Sequence, residues 1–296
     1  MKNLNQFLSF ASVARNGSFA AAARELGLAP SSVAKSVARL ESDLGSRLFH
    51  RTTRSLHLTE EGTTLFAQCG RVVDEISVLE SLITDTTDGP TGTLRVGAPI
   101  GYGTRKIVPV LSRLLAAHPL LNIEMRLSDE RVNLVDEGLD AVVRIGNNED
   151  SGLVARQIDR QHLVLCATPQ YVQTHGKLNS VADIEAHPVI SFRMPTSGRE
   201  RPLEFLENGE PIQMRPRSRF SSSHGDAMVE AVLDGVGIAQ VLEHMVEHYL
   251  REGRLVELLP ACRPAPLPVS VLIPGTRMMP ARVRALIDAL AGQGSS

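Results

Sequence analysis

The sequence predicts an α/β chain in three parts, and three observations predict it. The first 58 residues are basic and patterned as helices, a Pro-free segment with heptad spacing follows, and the remainder alternates strand-like with helix-like segments. At 296 residues and 43% hydrophobic, the chain is too long for one ordinary domain and has enough apolar residues to build real cores. The net charge of −2 hides an asymmetry: up to Leu58 eight Lys and Arg face three acids, which gives this head +5 and the remainder −7. A basic head on an acidic body suits a protein whose head meets a polyanion and whose body does not. No run approaches the roughly 18 apolar residues that cross a bilayer, and the N-terminal MKNLNQFLSFASVARNGS lacks a secretory apolar core. The expectation is a cytoplasmic protein with no membrane partner. Cys69, Cys166 and Cys262 are dispersed and odd in number, which argues against a disulfide framework or a zinc site.

In the head, Leu4, Phe7, Leu8, Ala11 and Ala14 follow the helical period. Gly17-Ser18 closes that helix, and Ser18 offers an N-cap for the next, FAAAAREL. Gly27 stops the second helix and Pro30 opens a third, which gives a helix-turn-helix over about residues 18–37. On the third helix Val33, Val37, Leu40 and Leu44 share one face, leaving Ser31, Ser32, Lys35, Ser36 and Arg39 on the other. Short hydroxyls and long cations on one face suit base edges and phosphates of the major groove; an ordinary solvated face is the competing account. The segment LFHRTTRSLHLT reads as two short strands around a bend carrying Arg51, Thr52, Thr53 and Arg54, a wing able to reach phosphates.

The order SFAAAARELGLAPSSVAKSVARLESDLGSRLFHRTTR followed by LTEEG closely resembles the winged helix-turn-helix of LysR-type transcriptional regulators, and the resemblance continues through the whole chain. The ending L-G-x-x-L-F-x-R-T-x-R is far narrower than a generic helix-turn-helix. Two positions depart from the family: Ala34 stands where Ser is common on the recognition helix, and Ala29 where a Ser or Thr cap is usual. Both bear on operator preference.

From Thr59 onward, Leu65, Cys69, Val72, Ile76, Leu79 and Ile83 alternate spacings of four and three, the a/d seam of a coiled coil, with Glu60 and Glu61 suiting a helix N-terminus. A helix buried on its own domain is the alternative. In the resembled family this segment is the dimerising linker helix, and Cys69 would then be an apolar filler of the seam.

After the polar hinge of residues 86–92, TLRVGAP reads as a strand, RKIVPVLSRLLAAHP as a helix, NIEMRL as an alternating strand and LDAVVRIG as a buried one. The pattern continues through LVLCA, PQYVQTH, PVISF, the Asn208-Gly209 hairpin, GDAMVEAVLDG, GIAQV and RLVELL, and ends in PAPLPVSVLIPG and PARVRALIDALA. This alternation predicts parallel sheet. By the resemblance, it is a two-subdomain, periplasmic-binding-protein-like (type 2) effector domain. The expected division is 1–59 for the DNA-binding head, 60–88 for the linker and 93–292 for the effector domain. Its first subdomain would take 93–163 plus 268–292, its second 164–267. The resemblance places a cleft at Pro99, Ile100, Gly101, Tyr102, Gly103, Thr104, Ser128, Asp129, Arg144, Asn147, Phe192, Arg193, Ser222, Ser223 and His224. Arg144, Arg193 and His224 point to an anionic ligand, with structural salt bridges an equally good account of the arginines.

Several short motifs invite an enzyme reading. His244, Glu247 and His248 fit H-x-x-E-H, in which two His on one helical turn bind zinc and the Glu is a base; a solvated polar face is the better account. GVGIAQ follows a helix and has Gln where a dinucleotide loop needs Gly, and Gly97, Gly101 and Gly103 stand in the wrong order. Ser223, His224 and Asp226 are too close in sequence to converge as a triad. A zinc-dependent hydrolase is kept as the alternative, a dehydrogenase or a free solute-binding protein as weaker ones. The resemblance implies a non-enzymatic regulator without cofactor, acting on promoter double-stranded DNA with an interrupted inverted repeat. It also implies a homodimer assembling to a tetramer, located with the nucleoid, and admits RNA polymerase as a further partner.

Overall fold

The computed structural model describes residues 4–51, 56–66, 68–69, 89–130, 134, 137–147, 152–275 and 279–292. The chain divides into two compact units, Met1–Gly92 and Thr93–Ser296. Among the described residues no helix is long and apolar enough to cross a membrane.

In the first unit, α1 (Leu4–Asn16), α2 (Phe19–Leu26) and α3 (Pro30–Leu44) precede an antiparallel pair, β1 (Phe49–Arg51) and β2 (Leu56–Leu58). A further helix, α4, begins at residue 60, and its described part reaches 69. Ser18 caps α2, and Gly27, at φ 63, ends it in the left-handed conformation that a Cβ disfavours. The core gathers Phe10, Val13, Ala22, Val33, Val37, Leu40, Leu48 and Phe49, with the Phe10 and Phe49 rings 5.3 Å apart. The buried face of α1 is only partly the expected one: Ala11 is buried, but Gln6, Ser9, Phe10 and Val13 turn inward with it while Leu4 is exposed and Phe7 and Ala14 flank the core. Ser9 can be buried because its hydroxyl donates to the Asn5 carbonyl within the helix. Leu65 and Cys69 differ as well. They pack on the head's own core, Cys69 almost wholly buried, so Cys69 has no surface left for a coiled-coil partner. The other expected seam positions, Val72, Ile76, Leu79 and Ile83, lie outside the described residues.

In the second unit, the first sheet contains β3 (Gly92–Ala98), β4 (Leu121–Leu127), β5 (Ala141–Ile145), β6 (Leu153–Gln161) and β14 (Leu267–Pro274), in the order β4-β3-β5-β14-β6. Helix α5 spans residues 100–117, α-helical at Ile100–Tyr102 and Val108–Ala117 with a π-helical turn at Gly103–Ile107 between them. Its Ile107, Leu111 and Leu114 pack with Val283, Leu286 and Ile287 of α9 (Ala281–Ala291) on β3, β5 and β14.

The second sheet, ordered β11-β8-β12-β7-β13, contains β7 (Leu163–Ala167), β8 (Val189–Phe192), β11 (Ser218–Ser222), β12 (Ile238–Leu242) and β13 (Val256–Leu258). The β9 (Leu203–Glu207) and β10 (Glu210–Met214) hairpin turns at Asn208 and Gly209, both at positive φ. Helices α6 (Pro169–His175), α7 (Gly225–Leu233) and α8 (Glu243–Arg251) complete it. Every residue of β7 is buried because both faces are covered: Val164 and Cys166 meet α7 and α8, and Leu165 and Ala167 meet the Tyr171–Phe205 cluster.

Neither sheet is all-parallel as the alternation predicts. β3 is parallel to β5 and β12 is parallel to β8, but β14 is antiparallel to both neighbours and so is β7. Parallel neighbours need a crossover connection. β7 instead follows directly on β6 as the chain leaves the first sheet, and β14 carries it back.

Candidate functional site

In the head, α3 buries Val33, Val37 and Leu40 and so turns Ser31, Ser32, Lys35 and Arg39 to solvent, with Ser36 half-buried at the edge. Ala29 at the N-cap makes no side-chain bond, leaving Pro30 to start the helix without a donor. Glu41 on the same helix fixes the wing: its carboxylate accepts from the Leu48 and Phe49 amides at 2.9 and 3.2 Å. The motif LTEEG has a physical account. Thr59 donates to the Arg47 carbonyl and accepts from the Gly62 amide, and a Cβ on Gly62 would stand 2.1 Å from the Leu48 carbonyl oxygen. Arg51 lies in β1, while Thr52, Thr53 and Arg54 lie outside the described residues.

In the second unit a cavity of about 610 Å³ opens between the two sheets. Pro99, Tyr102, Ser128, Asp129, Arg144, Asn147 and Phe192 line it, as expected from sequence. Asp129 accepts from the Ile100 amide at 3.0 Å, which ties it to the start of α5, and Ser128 accepts from the Glu130 amide at 3.1 Å in a local turn. The second sheet contributes Met194, Arg199, Arg201, Arg215, Gln240, His244 and Met245. Four arginines therefore face the cavity against Asp129, Glu130 and Glu200, a locally positive lining on a body of net negative charge. Among the described residues Arg199 has no carboxylate partner; Arg201 pairs with Glu204, and Arg215 donates to the Glu200 carbonyl.

The wall contains a buried polar chain. Tyr102 and Gln161 both donate to Asp159 Oδ2, at 2.9 and 2.8 Å, and Gln161 Oε1 faces His244 Nδ1 at 2.9 Å. The Tyr102 and His244 rings meet edge to face. Burial above all, with Arg105 and Lys106 adding to it, holds His244 down at about 4. Burial, then Asp159, pushes the Tyr102 phenol upward.

A family model described as the LysR substrate binding domain matches residues 87–295, and one described as the bacterial regulatory helix-turn-helix protein, lysR family, matches 4–63. The chain belongs to the LysR family. Similar relatives include the HTH-type transcriptional regulator DmlR of Escherichia coli K12, 34% identical over 87% of this chain and 83% of that one. Another, PtxR of Pseudomonas aeruginosa, is 34% identical over 97% and 92%. Among solved structures, CrgA of Neisseria meningitidis, a LysR-type transcriptional regulator, aligns over 99% of both chains at 28% identity with a TM-score of 0.63. The Vibrio cholerae virulence activator AphB aligns over 98% of this chain and 99% of its own, at 25% identity and 0.60. As a LysR-type transcriptional regulator, the chain joins a DNA-binding helix-turn-helix to an effector-binding domain.

Eight residues expected in the effector cleft of this LysR-type regulator lie outside the cavity wall. Ile100, Gly101, Gly103 and Thr104 belong to the start of α5. There Gly101 backs onto Met245, Gly103 packs against Leu127, and Thr104 donates to the Ile100 carbonyl. Arg193 turns away, donating to the Gly198 carbonyl and Ser221 and pairing with Glu200. Ser222 accepts from the His224 amide in a tight turn, and Ser223 and His224 lead into α7, whose Gly225 and Met228 reach the cavity in their place. The zinc-hydrolase alternative falls with the family assignment, and Glu247, its expected base, is engaged by Lys106 and Arg251.

Proposed function

We propose that this regulator binds a small anionic effector in the cavity between the two sheets, and that occupancy changes its grip on promoter DNA. The observation that carries this reading is the lining itself: about 610 Å³, within the range of small-molecule sites, with Arg144, Arg199, Arg201 and Arg215 contributed from both sheets. A ligand held from both sides favours one relative placement of the sheets, and that differential affinity is the energy available to move the heads. The head reads an interrupted inverted repeat through Ser31, Ser32, Lys35, Ser36 and Arg39, with Arg51, Thr52, Thr53 and Arg54 on phosphates of double-stranded DNA. The protein works in the cytoplasm, at the nucleoid, as a homodimer that assembles to a tetramer. Its linker seam is Val72, Ile76, Leu79 and Ile83, within a chain divided at 1–59, 60–88 and 93–292, with RNA polymerase a further partner.

The test is fluorescence anisotropy on a promoter fragment with and without candidate carboxylates. Arg199→Ala and Arg215→Ala should abolish the response while leaving effector-free DNA affinity within a few fold. A normal response in both variants moves the effector elsewhere. Ile76→Asp should lower the sedimentation mass of the assembly.

A further inference from the structure

One residue of the cavity lining carries a buried polar atom without a partner among the described residues. His244 is 3% exposed, lines the cavity, and its Nε2 has no hydrogen-bond partner among the described residues. Which form the ring takes follows from its neighbours. Asp159 as a carboxylate accepts only, so the Gln161 group 2.8 Å from it is the amide nitrogen, and Gln161 Oε1 is left to face His244. That oxygen accepts from both the His244 backbone amide at 3.2 Å and Nδ1–H at 2.9 Å. Nδ1 therefore holds the proton and Nε2 presents a lone pair. Burial, with Arg105 and Lys106 beside it, keeps the ring neutral at ordinary pH. Asp159 fixes Gln161, and Gln161 fixes the tautomer, the arrangement by which outer carboxylates orient ligand-binding histidines.

We infer that His244 Nε2 is the hydrogen-bond acceptor for a hydroxyl group of the effector, so that the cavity selects hydroxylated carboxylates over their deoxy counterparts. The inference rests on the proposed reading of the cavity as an anion site. The division of labour is chemical: arginines of the lining take the carboxylate, whereas a lone pair on a buried neutral ring repels a carboxylate and demands a donor. Gln161 and Asp159 are positioning residues.

The test titrates the full-length protein calorimetrically, near neutral pH, with matched pairs differing by one hydroxyl: malate and succinate, mandelate and phenylacetate, 4-hydroxybenzoate and benzoate. In at least one pair the hydroxylated member should bind about tenfold tighter, the size of one buried hydrogen bond. His244→Phe, which keeps an aromatic ring and removes the acceptor, should bring that pair together by weakening the hydroxylated member alone. In the unmodified protein the imidazole Nε2 resonance should shift with the hydroxylated member and stay with its partner, a readout that does not depend on the variant folding. Equal affinities in every pair, a gap that survives His244→Phe, or an unmoved Nε2 resonance overturns the inference and leaves the anion site standing. No binding by any of the carboxylates overturns the anion site and the inference with it.

Discussion

Among the described residues one carboxylate of α3 holds the backbone at the start of the wing, and Glu41→Ala removes it. The Leu48 and Phe49 amides, bonded to Glu41 at 2.9 and 3.2 Å, lose their acceptor at the point where Leu48 and Phe49 enter the core. Hydrogen bonds to a charged group contribute about 1.5–3 kcal/mol each, and both of these are only part-buried, so about 2–3 kcal/mol in total is expected. In a unit of this size that lowers the melting temperature by roughly 8–20 °C. Glu41→Gln is the control, because its amide oxygen still accepts and most of the stability should remain. Thermal unfolding followed by circular dichroism gives the stability, and anisotropy on promoter DNA well below the transition gives the affinity. There the head stays folded, so weaker DNA binding in Glu41→Ala reports a displaced wing. Equal melting temperatures for Glu41→Ala and the parent, or a Glu41→Gln loss as large as that of Glu41→Ala, would refute the reasoning.

Ala29→Ser should stabilise the head by about 1 kcal/mol, since the N-cap of α3 has extended backbone and no side-chain acceptor; urea denaturation measures it. Asp140→Ala should cost roughly 3–5 kcal/mol, because Asp140 pairs with the buried Arg282 at 3.1 Å and accepts from the Arg95 amide, and Asp140→Ala with Arg282→Met should recover part of that loss in a double-mutant cycle. His244 is depressed from 6.5 to about 4 on folding, so it leaves stability untouched above pH 6.5. As pH falls from 6.5 towards 4, the unfolded form takes up a proton that the folded form refuses, and roughly 3 kcal/mol is lost. A urea midpoint that drops as steeply in His244→Phe as in the parent would assign that loss to other groups.

The head was readable because its signals are local: caps, the glycine stop after α2 and the apolar face of α3 sit within a few residues of what they control. The face of α1 was not, because Ser9 looks polar in sequence and is satisfied only once the helix supplies the Asn5 carbonyl. In the body, β6 escaped notice because LVARQIDRQ has no buried stripe; it is a strand through its pairing with β14, more than a hundred residues away. The same distance hid the site. Arg199, Arg201 and Arg215 fall around the β9–β10 hairpin with no periodicity to mark them, and His244 owes its orientation to Gln161.

The path of β14 also sets the order in which the second unit can be completed during synthesis. The whole second sheet, from Leu163 to Leu258, emerges and can close while the first sheet still lacks the strand that belongs between β5 and β6. Until Leu267–Pro274 leaves the ribosome, β5 and β6 present open edges that other nascent chains can pair with. A chain cut short after β13 would keep an intact second sheet and a first one without the strand that joins β5 to β6. Truncations near the C-terminus are therefore expected to aggregate, and a chaperone acting on this protein would have its work at the first sheet, in the interval before the last thirty or so residues arrive.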